Sequence, residues 1–184
     1  MKAAAIILAA GESRRMGRPK ALLPFRGGTF LSVLAETLAV SCSTVIAVFG
    51  YDGENVSRSA PAAVITTVNP DYRLGMLTSL QAGLRACPDD AGVVLFTLVD
   101  HPAVTPETVA ALTRTGADIA IPRYRGQRGH PVLMRRAIAL EYLAEPLTSK
   151  VRDVIDRHPD SIRYIEVDDP ALYEALLARE ALRS

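Results

Sequence analysis

A cationic loop near the N-terminus is the first segment of this sequence that could do chemistry. Four cations lie between Arg14 and Lys20, and Gly11 and Gly17 let the backbone turn and come close to a ligand. The guanidinium of Arg15 can bind two phosphate oxygens, and the ammonium of Lys20 can neutralise a phosphate that gains charge as a bond breaks. With backbone N–H groups beside them, these side chains predict a polyphosphate site.

The glycines of this loop do not follow two common phosphate-binding motifs. A Walker motif has four residues between its glycines and then Gly-Lys-Ser or Gly-Lys-Thr, and a dinucleotide-binding motif reads Gly-x-Gly-x-x-Gly. The small residues Ala9 and Ala10 ahead of the loop leave room for a flat base or a sugar. A solvated basic surface loop is the alternative, but the loop follows the apolar run Ala3–Leu8, and that position favours a ligand site.

An aspartate at the end of another apolar run could hold a metal ion. A carboxylate at the tip of a central strand is costly unless it is solvated, paired or bound to a metal. Asp100 occupies such a position before Pro102, and its hard oxygen atoms suit Mg²⁺, which also binds triphosphate oxygens. We expect Asp100 to be a magnesium ligand, with a structural turn cap as the alternative. His101 is expected to support the site or lie at the surface.

A second basic segment, residues 123–132, contains three arginines and a histidine, with two glycines for tight turns. Guanidinium groups bind anions through paired hydrogen bonds. The segment is therefore the best candidate to receive an anionic acceptor, and a solvated basic loop is the alternative.

Apolar runs that alternate with amphipathic runs must position these loops. The predicted strands are Ala3–Leu8, Thr44–Phe49, Ala63–Val68, Val93–Val99, Asp118–Ile121, Val132–Met134 and Ile162–Val167. The predicted helices are Thr29–Val40, Met76–Ala86, Thr105–Arg114, Arg135–Leu143, Thr148–Arg157 and Ala171–Leu182. This alternation predicts an α/β fold with a mostly parallel central sheet and helices on both faces, in which ligands bind beyond the carboxyl ends of the strands.

The composition fits an ordinary globular protein. The 184 residues, of which 49% are apolar and 22% charged, predict a single domain over residues 1–184. A net charge of +1 argues for neither nucleic acid nor an anionic membrane surface as a partner. No apolar run approaches the roughly 20 residues of a membrane span. Cys42 and Cys87 lack metal-ligand spacing, so we expect buried free thiols in a cytoplasmic protein.

Residues 8–24 read Leu-Ala-Ala-Gly-x-Ser-Arg-Arg-Met-Gly-x-Pro-Lys-x-Leu-Leu-Pro. This string resembles the nucleotide-binding motif of the MobA-like NTP transferases, and within that family it is most similar to the molybdenum cofactor cytidylyltransferases. The resemblance implies a Rossmann-like nucleotidyltransferase fold. It also implies a nucleotide half over about residues 1–100 and an acceptor half over about residues 101–184.

The resemblance assigns roles to residues of the loops. It implies catalytic roles for Arg15, Lys20 and Asp100. It implies nucleotide contacts for Leu8, Ala9, Ala10, Gly11, Arg15, Gly17, Lys20, Asn69, Thr78 and Ser79. The last three are expected near the base and ribose, and the Thr-Ser pair opens a helix that it can also cap, which is the alternative.

Metal and acceptor contacts follow from three further segments. The resemblance implies that the aspartate of the Asp-x-Pro motif, Asp100, binds the metal. The stretch Gly-x-Arg-Gly-His-Pro-Val at residues 126–132 is similar to one in the acceptor half of the family's cleft, which assigns Arg128 and His130 to the acceptor. If the alignment with the family motif has no gap, Asp168 matches an aspartate that supplies a second metal contact. The alternative is that the segment only forms a solvated helix cap through Asp169.

The implied reaction is nucleotidyl transfer with Mg²⁺. CMP moves from CTP to a phosphorylated acceptor, a molybdopterin-type molybdenum cofactor, and pyrophosphate leaves. Ala10 favours CTP, because guanylyl-transferring relatives tend to read Leu-Ala-Gly-Gly. The alternatives are another phosphorylated acceptor such as a sugar or polyol phosphate, a cofactor-binding module without turnover, and an oxidoreductase, which the absent dinucleotide motif disfavours. A molybdoenzyme is left open as a partner.

The sequence departs from the family pattern at two places. Family members often carry a Gly-Asp-x-Gly loop where residues 145–152 contain no glycine, and this leaves the identity of the acceptor open. The segment Glu166–Pro170 is shorter than the Asp-Ile-Asp-Thr-Pro-Glu-Asp of many relatives, and a deletion would make it unrelated to that motif.

Overall fold

The computed structural model describes residues 1–13 and 18–172 of the chain. The strands are β1 (Lys2–Ala9), β2 (Pro24–Phe25), β3 (Gly28–Thr29), β4 (Thr44–Phe49), β5 (Ile65–Val68), β6 (Ala91–Leu98), β7 (Ile119–Tyr124), β8 (Gln127–Arg128), β9 (Val132–Arg135) and β10 (Ile162–Glu166). The α-helices are α1 (Phe30–Ala39), α2 (Gly53–Ser57), α3 (Met76–Arg85), α4 (Pro106–Arg114), α5 (Arg136–Glu141) and α6 (Val151–Asp156). None of these helices is long and apolar enough to cross a membrane.

The main sheet is mixed and mostly parallel, as predicted. Its order is β10-β7-β9-β6-β1-β4-β5, with β8 paired to β7. Strand β1 runs parallel to β4 and β6, and β10 runs parallel to β7. Strand β9 is antiparallel to both β6 and β7, so β6 and β7 point the same way. The carboxyl ends of β1, β4, β5, β6, β7 and β10 therefore meet at one edge, called the carboxyl edge below.

Helices cover both faces of the sheet, because the side chains of β1 alternate between two apolar cores. Ile7 belongs to the core that contains Leu34 of α1 and Leu112 of α4. Ile6 belongs to the core that contains Leu80 of α3, which α5 and α6 also line. Strands that precede residue 100 occupy one side of the sheet and later strands the other. The single domain and its division at residue 100 stay predictions.

Several predicted bounds need correction. The strand predicted from Ala63 begins at Ile65, because the N–H of Val64 donates to the carbonyl of Pro61 in a turn. The helix predicted from Thr148 begins at Val151. The helix predicted over residues 171–182 lies outside the described residues from residue 173 onwards. Elements of two to five residues, namely β2, β3, β8 and α2, were not predicted because they are too short to show a hydrophobic period.

The starts of α4 and α3 differ in how they are capped. The Oγ1 of Thr105 accepts the N–H of Thr108 at 3.3 Å, so Thr105 caps α4 as its Thr-Pro-Glu pattern predicts. The alternative for the Thr-Ser pair, a cap of α3, is wrong. That helix begins at Met76 behind Gly75, whose φ of 127° favours glycine, and it has no side-chain cap. The Thr-Ser pair lies in the first turn of α3 instead.

Both cysteines are buried free thiols, as predicted. Burial raises the pKa of the Cys42 thiol to about 12 and that of the Cys87 thiol to about 11. Because a thiol reacts as its thiolate, neither cysteine offers a nucleophile at neutral pH.

Candidate functional site

Lys20 and Asp100 come together at the carboxyl edge. Lys20 begins a 3-10 turn, Lys20–Leu22, and its backbone N–H donates to the hydroxyl of Ser13 at 3.1 Å. Asp100 follows β6 in the central part of the sheet. The Nζ of Lys20 lies 3.0 Å from Oδ2 of Asp100, across 80 residues of sequence. The fold thus joins two of the three predicted catalytic residues.

The Lys20–Asp100 pair is open to a ligand. The two side chains are 30% and 17% exposed. An ion pair that solvent reaches contributes about 1 kcal/mol or less to stability. Because both side chains keep some exposure to solvent, a charged ligand can reach the pair.

The first loop leaves β1 beside this pair. Leu8 and Ala10 are buried, Ala9 is half-buried, and the carbonyl of Ala10 accepts the N–H of Tyr51 at 3.2 Å. A Cβ added at Gly11 would meet no atom of the rest of the described chain within 4 Å. The backbone at Gly11 is therefore open to close approach. The predicted contacts at residues 15 and 17 lie outside the described residues.

Asn69, Thr78 and Ser79 form a buried network at the carboxyl end of β5. The Nδ2 of Asn69 donates to Oγ1 of Thr78 at 2.8 Å and to Oγ of Ser79 at 3.0 Å. Its Oδ1 accepts the N–H of Asp71 at 3.0 Å, and the Thr78 hydroxyl donates to the carbonyl of Gly75 at 2.9 Å. The three residues are 3%, 4% and 3% exposed. They fix the loop between β5 and α3, and their contact with a nucleotide stays a prediction.

A contact between the first loop and the loop after β5 was missed from the sequence. The Oε1 of Glu12 accepts the Tyr72 hydroxyl at 3.2 Å and the Nε of Arg73 at 3.1 Å. The Arg73 guanidinium also lies 5.6 Å from the centre of the Tyr72 ring. Glu12 occupies a variable position of the resembled motif and its partners are 60 and 61 residues away. No local pattern could have revealed this pairing, which holds the two loops side by side.

His101 lies next to Asp100, and His130 lies next to His101. His101 is buried, so the surface alternative is wrong, and its Nε2 lies 3.8 Å from Oδ1 of Asp100. The ring centroids of His101 and His130 are 5.1 Å apart, and Nδ1 of His130 lies 3.5 Å from the carbonyl oxygen of Phe96. His101 thus lies between one predicted acceptor residue, His130, and the predicted metal ligand, Asp100.

Arg128, the other predicted acceptor residue, is exposed on the hairpin of β7 and β8. Its guanidinium lies 4.7 Å from the centre of the Tyr164 ring, and that of Arg123 lies 5.3 Å from the same ring. Arg123 also pairs with Glu166 at the end of β10. The hairpin therefore presents two guanidinium groups around one aromatic ring.

The two aspartates after β10 lie in different environments. Asp168, the predicted second metal ligand, is exposed. Asp169 is 1% exposed; its Oδ1 accepts the N–H of Ala171 at 3.0 Å as a helix cap does, but the cap is buried and not solvated. Its carboxylate accepts hydrogen bonds from Thr105, which caps α4, and from Thr108 in the first turn of α4. Strand β10 ends at the carboxyl edge, as β6 does, and metal binding by Asp168 stays a prediction.

The chemistry of the donors fits a metal ion that arrives with its ligand. Within residues 1–13 and 18–172, no group of three or more histidine, cysteine, aspartate and glutamate side chains could hold a metal ion. Mg²⁺ is usually bound by one or two carboxylates together with substrate phosphates and waters. Asp100, which reaches solvent beside Lys20, can supply one such carboxylate.

Comparison with known proteins agrees with this geometry. The family model described as the MobA-like NTP transferase domain matches residues 5–162. The chain is 33% identical over 153 residues to the molybdenum cofactor cytidylyltransferase of Escherichia coli, a match that covers 82% of this chain and 79% of that protein. It is 36% identical over 144 residues to nicotine blue oxidoreductase of Paenarthrobacter nicotinovorans, covering 70% and 69%.

A solved structure supports the same architecture. The crystal structure of the Rv0371c homologue from Mycobacterium sp. strain JC1 superposes with a TM-score of 0.80 at 27% identity, covering 98% of this chain and 97% of that one. The family match includes Lys20, Asp100 and the β7–β8 hairpin, and it ends before Asp168 and Asp169.

Proposed function

Because this chain belongs to the family of MobA-like NTP transferase domains, we propose that it moves CMP from CTP onto a molybdopterin-type molybdenum cofactor. Membership of the family makes the chain a nucleotidyltransferase, and the base and the acceptor are the proposed part. The Escherichia coli relative is named for cytidylyl transfer to the molybdenum cofactor, which supports both choices. The resemblance carried by residues 8–24 is thereby confirmed.

The Lys20–Asp100 pair is the observation that carries the proposal. Each side chain neutralises the other at 3.0 Å. A triphosphate with its cation supplies a better partner to each, since Lys20 can turn to a phosphate and Asp100 to the cation. The low stability of a partly exposed ion pair makes this exchange easy.

Mg²⁺ is the metal we propose for this site. Asp100 would hold it, and Asp168, exposed after β10 at the same edge, is the proposed second carboxylate. When bound, Mg²⁺ neutralises charge on the triphosphate oxygens.

The transfer itself needs little covalent work from the protein. A terminal phosphate oxygen of the acceptor attacks the α-phosphorus of CTP, the bond from that phosphorus to the bridging oxygen breaks, and pyrophosphate leaves with the electron pair. Lys20 places a positive charge where negative charge develops, and we propose that Arg15 shares this role. Positioning and charge neutralisation dominate such reactions, so the lack of a reactive thiol at Cys42 or Cys87 is no obstacle.

Ala10 supports the choice of CTP. This residue is buried at the end of β1, where guanylyl-transferring relatives tend to carry glycine. The additional methyl group takes up space next to the loop at which we propose the base to bind. A pyrimidine needs less room there than a purine.

The β7–β8 hairpin and His130 support a polyanionic, planar acceptor. The guanidinium group of Arg128 can bind a phosphate through paired hydrogen bonds, and Arg123, which pairs with Glu166, adds positive charge beside it. The flat face of a guanidinium group can also stack on a planar ring. His130 lies beside His101, which adjoins Asp100. An acceptor that contacts Arg128 and His130 therefore approaches the proposed triphosphate site.

The proposal extends to the fate of the product. A molybdenum cofactor that carries a nucleotide has to reach an enzyme that uses it, so we propose a molybdoenzyme as the partner. We also propose a cytoplasmic location, where free thiols such as those of Cys42 and Cys87 persist.

Pyrophosphate release tests the proposed function. The protein receives ATP, CTP, GTP or UTP, each with and without a molybdopterin-type acceptor and Mg²⁺. We expect release from CTP when both are present. If pyrophosphate is released only from GTP, the proposed base is guanine and not cytosine. If release occurs only with a sugar phosphate or a polyol phosphate, that compound is the acceptor in place of the molybdopterin-type cofactor. Tight binding without release would make the chain a cofactor-binding module, and nicotinamide oxidation instead of release would make it an oxidoreductase.

A further inference from the structure

Asp169 is a buried carboxylate that four hydrogen bonds hold in place. Its Oδ2 accepts the backbone N–H of Thr105 at 3.0 Å, the Thr105 hydroxyl at 3.0 Å and the Thr108 hydroxyl at 2.7 Å. Its Oδ1 accepts the N–H of Ala171 at 3.0 Å. With 1% of its surface exposed, the carboxylate depends on these donors.

The ionised carboxylate of Asp169 binds its hydrogen-bond donors strongly. A buried charge is costly unless hydrogen-bond donors surround it. Hydrogen bonds to an ionised group are roughly twice as strong as neutral ones, and the first turn of α4 adds the positive end of the helix dipole. Loss of the charge would therefore loosen every group that now donates to it.

The bonds of Asp169 do more than cap a helix. Helix α4 has its own cap, because Oγ1 of Thr105 accepts the N–H of Thr108 and Pro106 occupies the first helical position. The bonds of Asp169 join α4 to a segment that lies 61 to 64 residues further along the chain. They connect the end of β10 to the start of α4.

The segment that Asp169 holds is the one that carries Asp100. Only residues 101–104 separate Asp100 from Thr105. At one end of this connection the N–H of His101 donates to the carbonyl of Leu98 at 3.1 Å. At the other end Asp169 holds Thr105. Asp169 thus holds one end of the connection that carries Asp100, and it is the neighbour of Asp168 in the chain.

We propose that Asp169 is a positioning residue for the metal–triphosphate site, which fixes residues 100–105 so that Asp100 meets the cation. This inference rests on the proposed function in one respect, namely that Asp100 binds the metal. Asp169 itself, enclosed by α4 and the segment after β10, touches neither nucleotide nor metal. It acts through the loop that it holds.

Four variants separate this role from a purely structural one. Asp169→Asn keeps the size of the side chain, but whichever way the amide turns, a donor replaces one former acceptor. Thr108→Val removes one hydroxyl at nearly constant size, and Thr108→Ser restores that hydroxyl. Glu107→Gln is the matched control, because it removes an exposed carboxylate from the same first turn of α4.

Two measurements on the folded protein decide the question. One is hydrogen exchange of the Thr105 amide without metal, which reports the loop itself. The other is the Mg²⁺ concentration that gives half-maximal CTP binding in calorimetry, which does not require turnover. We expect Asp169→Asn to speed the exchange and to raise the Mg²⁺ midpoint by roughly tenfold or more, the scale of losing a residue that orients a metal ligand. Thr108→Val shifts both in the same direction by less, and Thr108→Ser and Glu107→Gln keep wild-type values.

One outcome of these measurements would overturn the inference. Faster Thr105 exchange with an unchanged Mg²⁺ midpoint would show that Asp169 holds the fold only, and would overturn the inference. If Asp169→Asn does not fold, Thr108→Val against Thr108→Ser decides by the same criterion. Wild-type protein that binds CTP with Mg²⁺ but releases no pyrophosphate with any acceptor would remove the proposed transfer and leave this test intact.

Discussion

The Lys20–Asp100 pair and the Asn69 network lie at the same edge of one sheet, yet they differ in how their polar atoms are used. Lys20 and Asp100 keep 30% and 17% of their side chains exposed and meet through one contact of 3.0 Å. Asn69, with Thr78 and Ser79, is almost fully buried and bonded to neighbouring parts of the chain. The first group can change partners, whereas the second sets the shape around it.

This difference shows how one edge can hold both a reactive site and its support. A buried polar network loses stability when one partner is removed, because the remaining groups stay unsatisfied. A partly exposed ion pair loses little, because water replaces the missing partner. Substitutions in the two groups should therefore affect different measurements.

The largest effect is expected from the partly exposed Lys20–Asp100 pair. Lys20→Ala or Asp100→Ala should lower kcat roughly 10²-fold or more, the scale of losing one transition-state contact. The free energy of unfolding should change by about 1 kcal/mol or less. Steady-state pyrophosphate release and denaturant unfolding measure the two quantities. Lys2→Ala is the matched control, because it breaks an exposed lysine–aspartate pair with Asp90 at the amino end of β1.

Unchanged turnover in both Lys20→Ala and Asp100→Ala would contradict the distinction drawn between this pair and the Asn69 network. The Lys20–Asp100 pair would then be an ordinary surface ion pair like that of Lys2 and Asp90.

A smaller effect, on a different quantity, is expected from the buried network. Asn69→Ala should lower the free energy of unfolding by about 1–3 kcal/mol, because the hydroxyls of Thr78 and Ser79 lose a buried partner. Turnover of the folded protein should fall less than in the Lys20 and Asp100 variants. Asn55→Ala is the control, since Asn55 is exposed and its side-chain amide donates to the exposed carboxylate of Asp52. A loss of turnover with unchanged stability would instead make Asn69 a nucleotide contact.

The fold was largely predictable from the sequence because buried parallel strands and amphipathic helices leave clear local signals. The continuous run in β1 and the Thr-Pro start of α4 are examples. The start of α3 at Met76 was predicted as well, but the way this helix is capped was not. The Thr-Ser pair looked suitable as a cap, but Gly75 with its positive φ precedes the helix, and Thr78 bonds to Asn69 instead.

The site was predictable where a motif carried it and hidden where distant contacts built it. Lys20 and Asp100 each follow a recognisable pattern, and the parallel sheet brings them together. The Glu12 contact to Tyr72 and Arg73 joins residues whose local sequence shows no pairing. The contrast between exposed Asp168 and buried Asp169 also depends on α4, which no local pattern of the segment could indicate.

The most direct test of the central claim is triphosphate binding with and without Mg²⁺, measured by calorimetry for the wild type and for Asp100→Asn. If Lys20 and Asp100 exchange their mutual contact for phosphate and cation, Mg²⁺ should strengthen CTP binding in the wild type. In Asp100→Asn this strengthening should vanish, while binding without Mg²⁺ should stay equal or become tighter because Lys20 no longer has to leave a partner. An equal Mg²⁺ dependence in the two proteins would contradict the claim.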